Sequence, residues 1–535
     1  MSTRVLVIGL DGATWDLLEP WARAGRLPVL AGLMERGTWG ALRSTIPAIT
    51  LPSWASFATG KNPGGHGLFA FERLAPDRYG TAGLANATDL RATRVWDVAA
   101  AVGRRVGVVN LPPAYPLRGI PNGFVVGCML TPPGEPLVTP PELADALGEY
   151  VVDTPAPKYL HRDDPDFETR ALAYLSGLER QTRLRTDATL RLAQRHPTDV
   201  LCVVYYAPDR VQHYFWELLD PTRDAEATGP VADAAVAVFR ELDRSIGRLV
   251  DAAPDATVVL ASDHGFRGKP RRAVRVNRWL ADQGLLRQRP LWTVRRRFVR
   301  HVVPQRWRAQ FDTVDRILVD RDRSQAWSDA LFTSTAGVWI HAEGRYPRGS
   351  VALGAPYDAV RDRIVRGLEA LRGPEGQPVF ERVWRREELY HGPFVEEAPD
   401  VIAACTPDFG VVFESLRRDL RDRNLFGPFE ELGYTGTHDL DGIYLFAGAG
   451  VQARGRAETH PIEAIAPTIL QLLDVPVPSD MESPPCTAVF DPAFLAAHPL
   501  QRGEATGITE GERGWSSDEQ EERIAEHLRA LGYLE

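Results

Sequence analysis

Short apolar runs that end on acidic residues or histidines constrain this chain more than any other feature. Val5 to Leu10 runs into Asp11, Thr257 to Ala261 runs through Ser262 into Asp263 and His264, and Val200 to Tyr205 is soon followed by Asp209 and His213. Near-continuous hydrophobic stretches of this length read as buried parallel strands. In open α/β sheets, ligand sites collect outside the carboxyl ends of the strands. Two polar side chains in that position have no use in a core, although Asp263 could also act as a simple cap.

The runs at 5–10, 106–109, 200–206 and 257–261 alternate with helix-like segments at 168–195 and 231–252, the order expected of a parallel α/β sheet. From about residue 267 the chain turns Arg- and Trp-rich, with a further helical segment at 356–372, and core character returns at Gly442-Ile-Tyr-Leu-Phe-Ala-Gly. The expected organisation is therefore a core over 1–266 and 432–498, interrupted by an insertion over 267–431. The remainder, 499–535, reads as a polar linker and a C-terminal helix. That helix has a capping-box start at Ser517 to Gln520, and Ile524, Leu528 and Leu531 share one face. It would dock on the body of the chain or on the partner subunit of a homodimer.

A chain of 535 residues with 44% hydrophobic composition can bury a substantial core, which excludes wholesale disorder. A formal charge of −9 argues against a protein built to coat nucleic acid. Arg295, Arg296, Arg297, Arg300, Arg306 and Arg308 form a basic run that reads first as a solvated helix face, with contact to an anionic substrate or membrane surface as the alternative. The four cysteines are widely spaced and read as reduced and buried. The apolar stretch before Asp11 is too short for a secretory signal, and no run approaches the ~18 apolar residues of a membrane span. A cytoplasmic protein without a membrane anchor is the expectation.

Asp209 and His213 are four apart, so a helix starting at Pro208 would put both on one face and let them grip one cation. The plain alternative is an exposed helical pair. His438 lies in a Gly- and Thr-rich segment, expected as a loop before another apolar strand. The histidines His161, His196, His301, His341, His391, His460, His498 and His527 lack strand-end context and receive no site role. Nitrogen and carboxylate ligands without thiolate suit Zn²⁺ and also Mn²⁺.

Thr50 precedes Pro52 in Pro47-Ala-Ile-Thr-Leu-Pro-Ser-Trp, so the positive end of a new helix would face an incoming phosphate. Its hydroxyl becomes a useful nucleophile when held as an alkoxide, which metal coordination can do. The alternative is that Thr50 only caps the helix. Ser53 and Ser56 compete for the nucleophile's role but would lie inside the helix. Lys61 could neutralise substrate charge or be an ordinary solvated lysine, and His66 reads as a supporting residue.

With these motifs in order, the chain resembles the alkaline phosphatase superfamily, nearest its type I phosphodiesterase/nucleotide pyrophosphatase branch and the bacterial phosphohydrolase/phosphomutase group. The resemblance rests on Asp11-Gly12, Thr50-Leu-Pro followed by Thr59-Gly-Lys-Asn-Pro-Gly-Gly-His-Gly, Pro208-Asp with His213, Ser262-Asp-His-Gly, and Gly436-Thr-His. It implies a three-layer α/β/α core with a mainly parallel sheet and an inserted cap region. It further implies two divalent ions, Zn²⁺ first and Mn²⁺ second, about 4 Å apart. Asp11, Thr50, Asp263 and His264 would hold one; Asp209, His213 and His438 would hold the other. Thr50 would form a covalent threonyl intermediate.

Where nucleotide pyrophosphatases carry an Asn after Thr-Phe-Pro, this chain has Ser53 and Trp54 after Pro52, which weakens the inference to nucleotides. The sulfatase pattern does not fit. The expected activity is hydrolysis of phosphodiester, nucleotide pyrophosphate or phosphonate ester bonds in a small phosphorylated substrate such as a nucleotide or nucleotide-sugar, with Ser53 and Lys61 as candidate substrate contacts. The alternatives are a phosphomonoesterase or phosphomutase on the same scaffold, and an inactive binding or scaffold relative. Substrate choice is expected to reside in the insertion, whose Trp292, Trp307, Trp327, Trp339, Arg345 and Arg348 could stack on a base, clamp an anion, or serve as core and surface.

Overall fold

The computed structural model describes residues 3–74, 81–157, 160–222, 228–289, 319–412, 419–420, 422–429, 433–508 and 518–531. Trp292, Trp307, the arginine run from Arg295 to Arg308 and the helix start at Ser517 lie outside them. The chain packs as two compact units: 1–71, 83–268 and 432–535 form one, and 72–82 with 269–431 form the other. The stretch 72–82 was expected in the core, and no break in composition marks it.

In the first unit a ten-stranded sheet is centred on Val5–Leu10. That strand pairs in parallel with Val200–Tyr205 on one side and Thr257–Ala261 on the other. Val106–Val109 and Phe124–Val126 extend the parallel part, while Asp441–Ala447 pairs antiparallel with Thr257–Ala261 and Gly37–Arg43 pairs antiparallel with Asp441–Ala447 beyond it. The apolar runs are near-continuous because both faces are covered. Leu6, Ile8 and Leu10 point into one core with Leu201, Val203, Val258 and Leu260, whereas Val5 and Val7 point into another with Cys202, Val204 and Val259. Helices Phe167–Arg195, Ala207–Leu219 and Pro230–Ala252 cover the first face; Thr50–Thr59, Val95–Ala101 and Ile465–Leu472 cover the second. This is the three-layer α/β/α arrangement.

The C-terminal helix Asp518–Leu531 buries Ile524, Leu528 and Leu531 in the second of these cores, so it docks on the body of the first unit. Among the described residues no helix is long and apolar enough to cross a membrane. Strands Ala326–Phe332, Thr335–Ile340, Val401–Cys405 and Phe380–Arg385 form an antiparallel sheet in the second unit, with helix Ala355–Glu369 packed on strand Phe380–Arg385. Trp327 and Trp339 are buried there with ring centroids 6.1 Å apart, and Arg345 donates to the buried carboxylate of Asp400 at 2.7 Å.

Leu528→Ala should reduce unfolding free energy by about 2–5 kcal/mol, the usual range for emptying a buried leucine site. A urea titration followed by circular dichroism measures it; an unchanged midpoint would mean that the helix does not dock in solution.

Candidate metal centre

Six of the seven side chains singled out in the sequence meet in two buried triads, Asp11 with Asp263 and His264, and Asp209 with His213 and His438. The sheet explains the first: Asp11 leaves strand Val5–Leu10, and Asp263 and His264 leave its neighbour Thr257–Ala261. Asp209 and His213 project from one face of helix Ala207–Leu219. Both are buried, so the exposed-pair reading does not hold. His438 sits in a short strand, Gly436–Asp439, rather than a loop, because that segment pairs antiparallel with Gly265–Gly268 and sets His438 opposite Phe266.

Each ligand-type side chain except Asp209 has one polar atom tied to a protein partner. The Gly12 N–H donates to Asp263 Oδ1 at 3.1 Å, and the Trp54 indole N–H donates to Asp11 Oδ2 at 3.0 Å. Nδ1 of His264 faces the Gly265 carbonyl at 3.0 Å, that of His213 faces Gly436 at 3.3 Å, and that of His438 faces Ala48 at 2.9 Å. A carbonyl can only accept, so each Nδ1 carries the proton and each Nε2 presents a lone pair. The Nε2 atoms of His213 and His438 lie 3.3 and 3.2 Å from Asp209 Oδ1 and 3.0 Å from each other. His264 Nε2 is 3.3 Å from Asp263 Oδ2 and 3.7 Å from Asp11 Oδ1. The His264 and His438 rings stack with centroids 3.6 Å apart, placing the triads side by side.

Asp11 Oδ1, Asp209 Oδ1, Asp263 Oδ2 and His264 Nε2 are buried without a hydrogen-bond partner. Orphaned acceptors of this kind are rare in a native interior and suit a bound cation. The electrostatics agree. Burial, then repulsion from Asp263 and Asp209, raises Asp11 well above the usual carboxylate range; burial also raises Asp263, with Asp209 adding to it. Burial would raise Asp209 too, but positive charge on its His213 and His438 side, where a cation would sit, holds it well below that range. Burial lowers His264 strongly and His438 as well, keeping both rings neutral and able to bind a cation. The residues present therefore fit two divalent cations, each with three protein ligands of nitrogen and oxygen type.

Thr50 is the first residue of helix Thr50–Thr59 and is buried; Ile49 occupies the cap position, so Thr50 is not the cap. The chain on either side of Thr50 is tied to a different triad. Ala48 accepts from His438, and Trp54, one turn on, donates to Asp11.

The two candidate substrate contacts are engaged elsewhere. Ser53 Oγ lies 3.0 Å from Ser44 Oγ and 2.9 Å from Thr45 Oγ1, and Lys61 Nζ pairs with Asp480 at 2.7 Å and is buried rather than solvated. His66 Nδ1 accepts from the Leu68 N–H, so its Nε2–H donates to Ser56 Oγ at 2.9 Å. Sequence reasoning missed Trp54 as a partner of Asp11, although its spacing from Thr50 could have suggested it. It also missed Asp480 and Glu482, which hold Lys61 and Asn62 and carry no local signal.

The family model for type I phosphodiesterase/nucleotide pyrophosphatase matches residues 5–439. The chain belongs to that family, a group of metal-dependent hydrolases acting on phosphoric ester bonds. Its fold is similar to that of phosphonoacetate hydrolase from Sinorhizobium meliloti 1021 in complex with phosphonoacetate, at 16% identity and a TM-score of 0.52, covering 84% of this chain and 90% of the other. It is similar as well to murine ectonucleotide pyrophosphatase/phosphodiesterase 5, at 14% identity and a TM-score of 0.50, covering 88% and 95%. No curated protein matches the chain in sequence.

Burial, with Arg91 and Lys61 nearby, lowers His66 to about 3. The unfolded chain binds a proton at His66 below about pH 6.5 while the folded chain does not until about pH 3, so this group removes stability as pH falls through that window. His66→Gln should flatten the loss between pH 6.5 and 4 by up to about 1.4 kcal/mol per pH unit, as chemical denaturation at several pH values would show.

Proposed function

We propose that this protein hydrolyses phosphodiester-type bonds, nucleotide pyrophosphates and phosphonate esters included, with two divalent cations and Thr50 as nucleophile. The observation that supports this most is the pair of buried triads fastened to the chain on both sides of Thr50. Asp11, Asp263 and His264, completed by Thr50, would hold one cation, and Asp209, His213 and His438 the other. Zn²⁺ suits these donors first, with Mn²⁺ the alternative. When bound, the pair supplies Lewis-acid polarisation of the phosphoryl oxygens and lowers the cost of forming an alkoxide.

The chain's own residues do the rest. Thr50 Oγ1 loses its proton and bonds to phosphorus as the bond to the leaving oxygen breaks, and the leaving group departs with a proton. Water then attacks the same phosphorus, the P–Oγ1 bond breaks, and the threonine hydroxyl is restored. Helix Thr50–Thr59 directs its free N–H groups and positive end toward the developing charge on the phosphoryl oxygens.

Diesters are favoured over monoesters on charge. A monoester dianion needs a further cationic partner, yet Lys61 is paired with Asp480, and Arg210, beside Asp209, is paired with Asp153 at 3.0 Å.

Purified protein should carry about two divalent ions per chain by elemental mass spectrometry, and chelation should abolish turnover. Thr50→Ala should lower kcat by about a thousandfold or more, a loss that persists when added Zn²⁺ fills both sites. Wild-type turnover in that variant would remove Thr50 as nucleophile. On bis(p-nitrophenyl) phosphate and p-nitrophenyl phosphate the diester should react with the higher kcat/KM; a tenfold preference for the monoester would reverse the assignment.

A further inference from the structure

Among the contacts that fix the two triads, one is made by a side chain with no place in the ligand set. Trp54 is fully buried, and its indole N–H donates to Asp11 Oδ2 at 3.0 Å. Asp11 Oδ1 is left buried without a partner, on the side of His264. The indole is held on several sides. Phe57 packs edge-on with centroids 5.1 Å apart, and Gly9 leaves the space that the ring fills, since a Cβ at Gly9 would sit 2.6 Å from the outer ring carbon. A carboxylate with one oxygen fixed by a donor has one defined direction for its other lone pairs. Trp54 also lies one helical turn after Thr50, so the same ring fixes the nucleophile's helix to the strand end that carries Asp11.

We infer that Trp54 is a positioning residue for the Asp11–Asp263–His264 site, selecting Asp11 Oδ1 as its ligand oxygen and holding it in register with Thr50. The inference rests on the two-cation reading. Partners that orient a metal ligand commonly change affinity by about 10- to 100-fold when removed. The effect should fall on one of the two ions, because the second triad is fixed by Gly436 and Ala48 instead.

Two substitutions separate the hydrogen bond from the packing. Trp54→Phe keeps an aromatic ring and removes the donor. Trp54→His removes the benzo ring but can place its Nε2–H where the indole N–H lies, because the two five-membered rings superpose when the imidazole is flipped. Zn²⁺ affinity is read by competition with a chromophoric chelator, alongside thermal unfolding and the kinetics of diester cleavage. Trp54→Phe should bind one of its two ions about 10- to 100-fold more weakly and lose kcat with KM little changed, and added Zn²⁺ should restore much of it. Trp54→His should lose thermal stability yet bind both ions within a few-fold of wild type.

Wild-type affinity in Trp54→Phe overturns the inference, as does equal weakening in both variants, which would leave packing as the only role. Should Trp54→Phe not fold, Trp54→His decides alone: retained affinity supports the inference and a tenfold loss overturns it. A wild-type protein that binds no Zn²⁺ would instead sink the two-cation reading together with this one.

Discussion

Three carboxylates and three imidazoles removed from water within two adjoining triads set the terms for the rest of the first unit. Burying even one unpaired carboxylate is costly, and here Asp11 and Asp263 are raised by burial and by neighbouring negative charge. Rigidity and a completing cation would both lower that cost. The sheet supplies the rigidity, delivering Asp11, Asp263 and His264 from two adjacent parallel strands whose faces are both packed.

Most of the atoms that orient the ligands are backbone atoms. Gly12, Gly265, Gly436 and Ala48 supply an N–H or a carbonyl, and Trp54 alone among these partners acts through its side chain. Gly12 shows what this demands. Its φ of 66° suits glycine, a Cβ there would lie 3.1 Å from Asp209, and its carbonyl accepts from Gln212 while its N–H holds Asp263. One residue thereby joins the first triad to the helix that carries Asp209 and His213. A second anchor lies at the far end of helix Thr50–Thr59, where Gly60 adopts a left-handed conformation, Lys61 and Asn62 are held by Asp480 and Glu482, and His66 donates to Ser56. The Gly- and Asn-containing motif that invites a substrate-binding reading works here as a clamp on helix Thr50–Thr59.

The parts legible in the sequence were those written locally. Apolar runs named the strands at 5–10, 106–109 and 257–261, and the spacing of Ile524, Leu528 and Leu531 named the buried face of the last helix. The polar residues at strand ends marked where a ligand site would lie. What escaped depends on pairing between distant segments. His438 looked like part of a loop because the partner of its strand, Gly265–Gly268, lies about 170 residues earlier. Lys61 looked solvated because Asp480 is distant in sequence, and Trp54 looked like a departure from a motif because only the folded sheet brings Asp11 beneath it.

The same division separates reaction from substrate. A site built from strand ends and backbone partners fixes where charge can be neutralised and where a nucleophile can stand, and little in it discriminates one leaving group from another. Charge does discriminate between classes of ester. Arg210 lies beside Asp209 yet is turned into a fully buried pair with Asp153, which Gln181 and Thr154 also contact. Freeing that guanidinium for a substrate would strand a buried carboxylate, at a cost of about 3–5 kcal/mol. The fold has thus committed the Arg210 guanidinium to holding helix Ala207–Leu219 in place, which supports the proposed preference for a substrate bearing one negative charge at the reacting phosphorus.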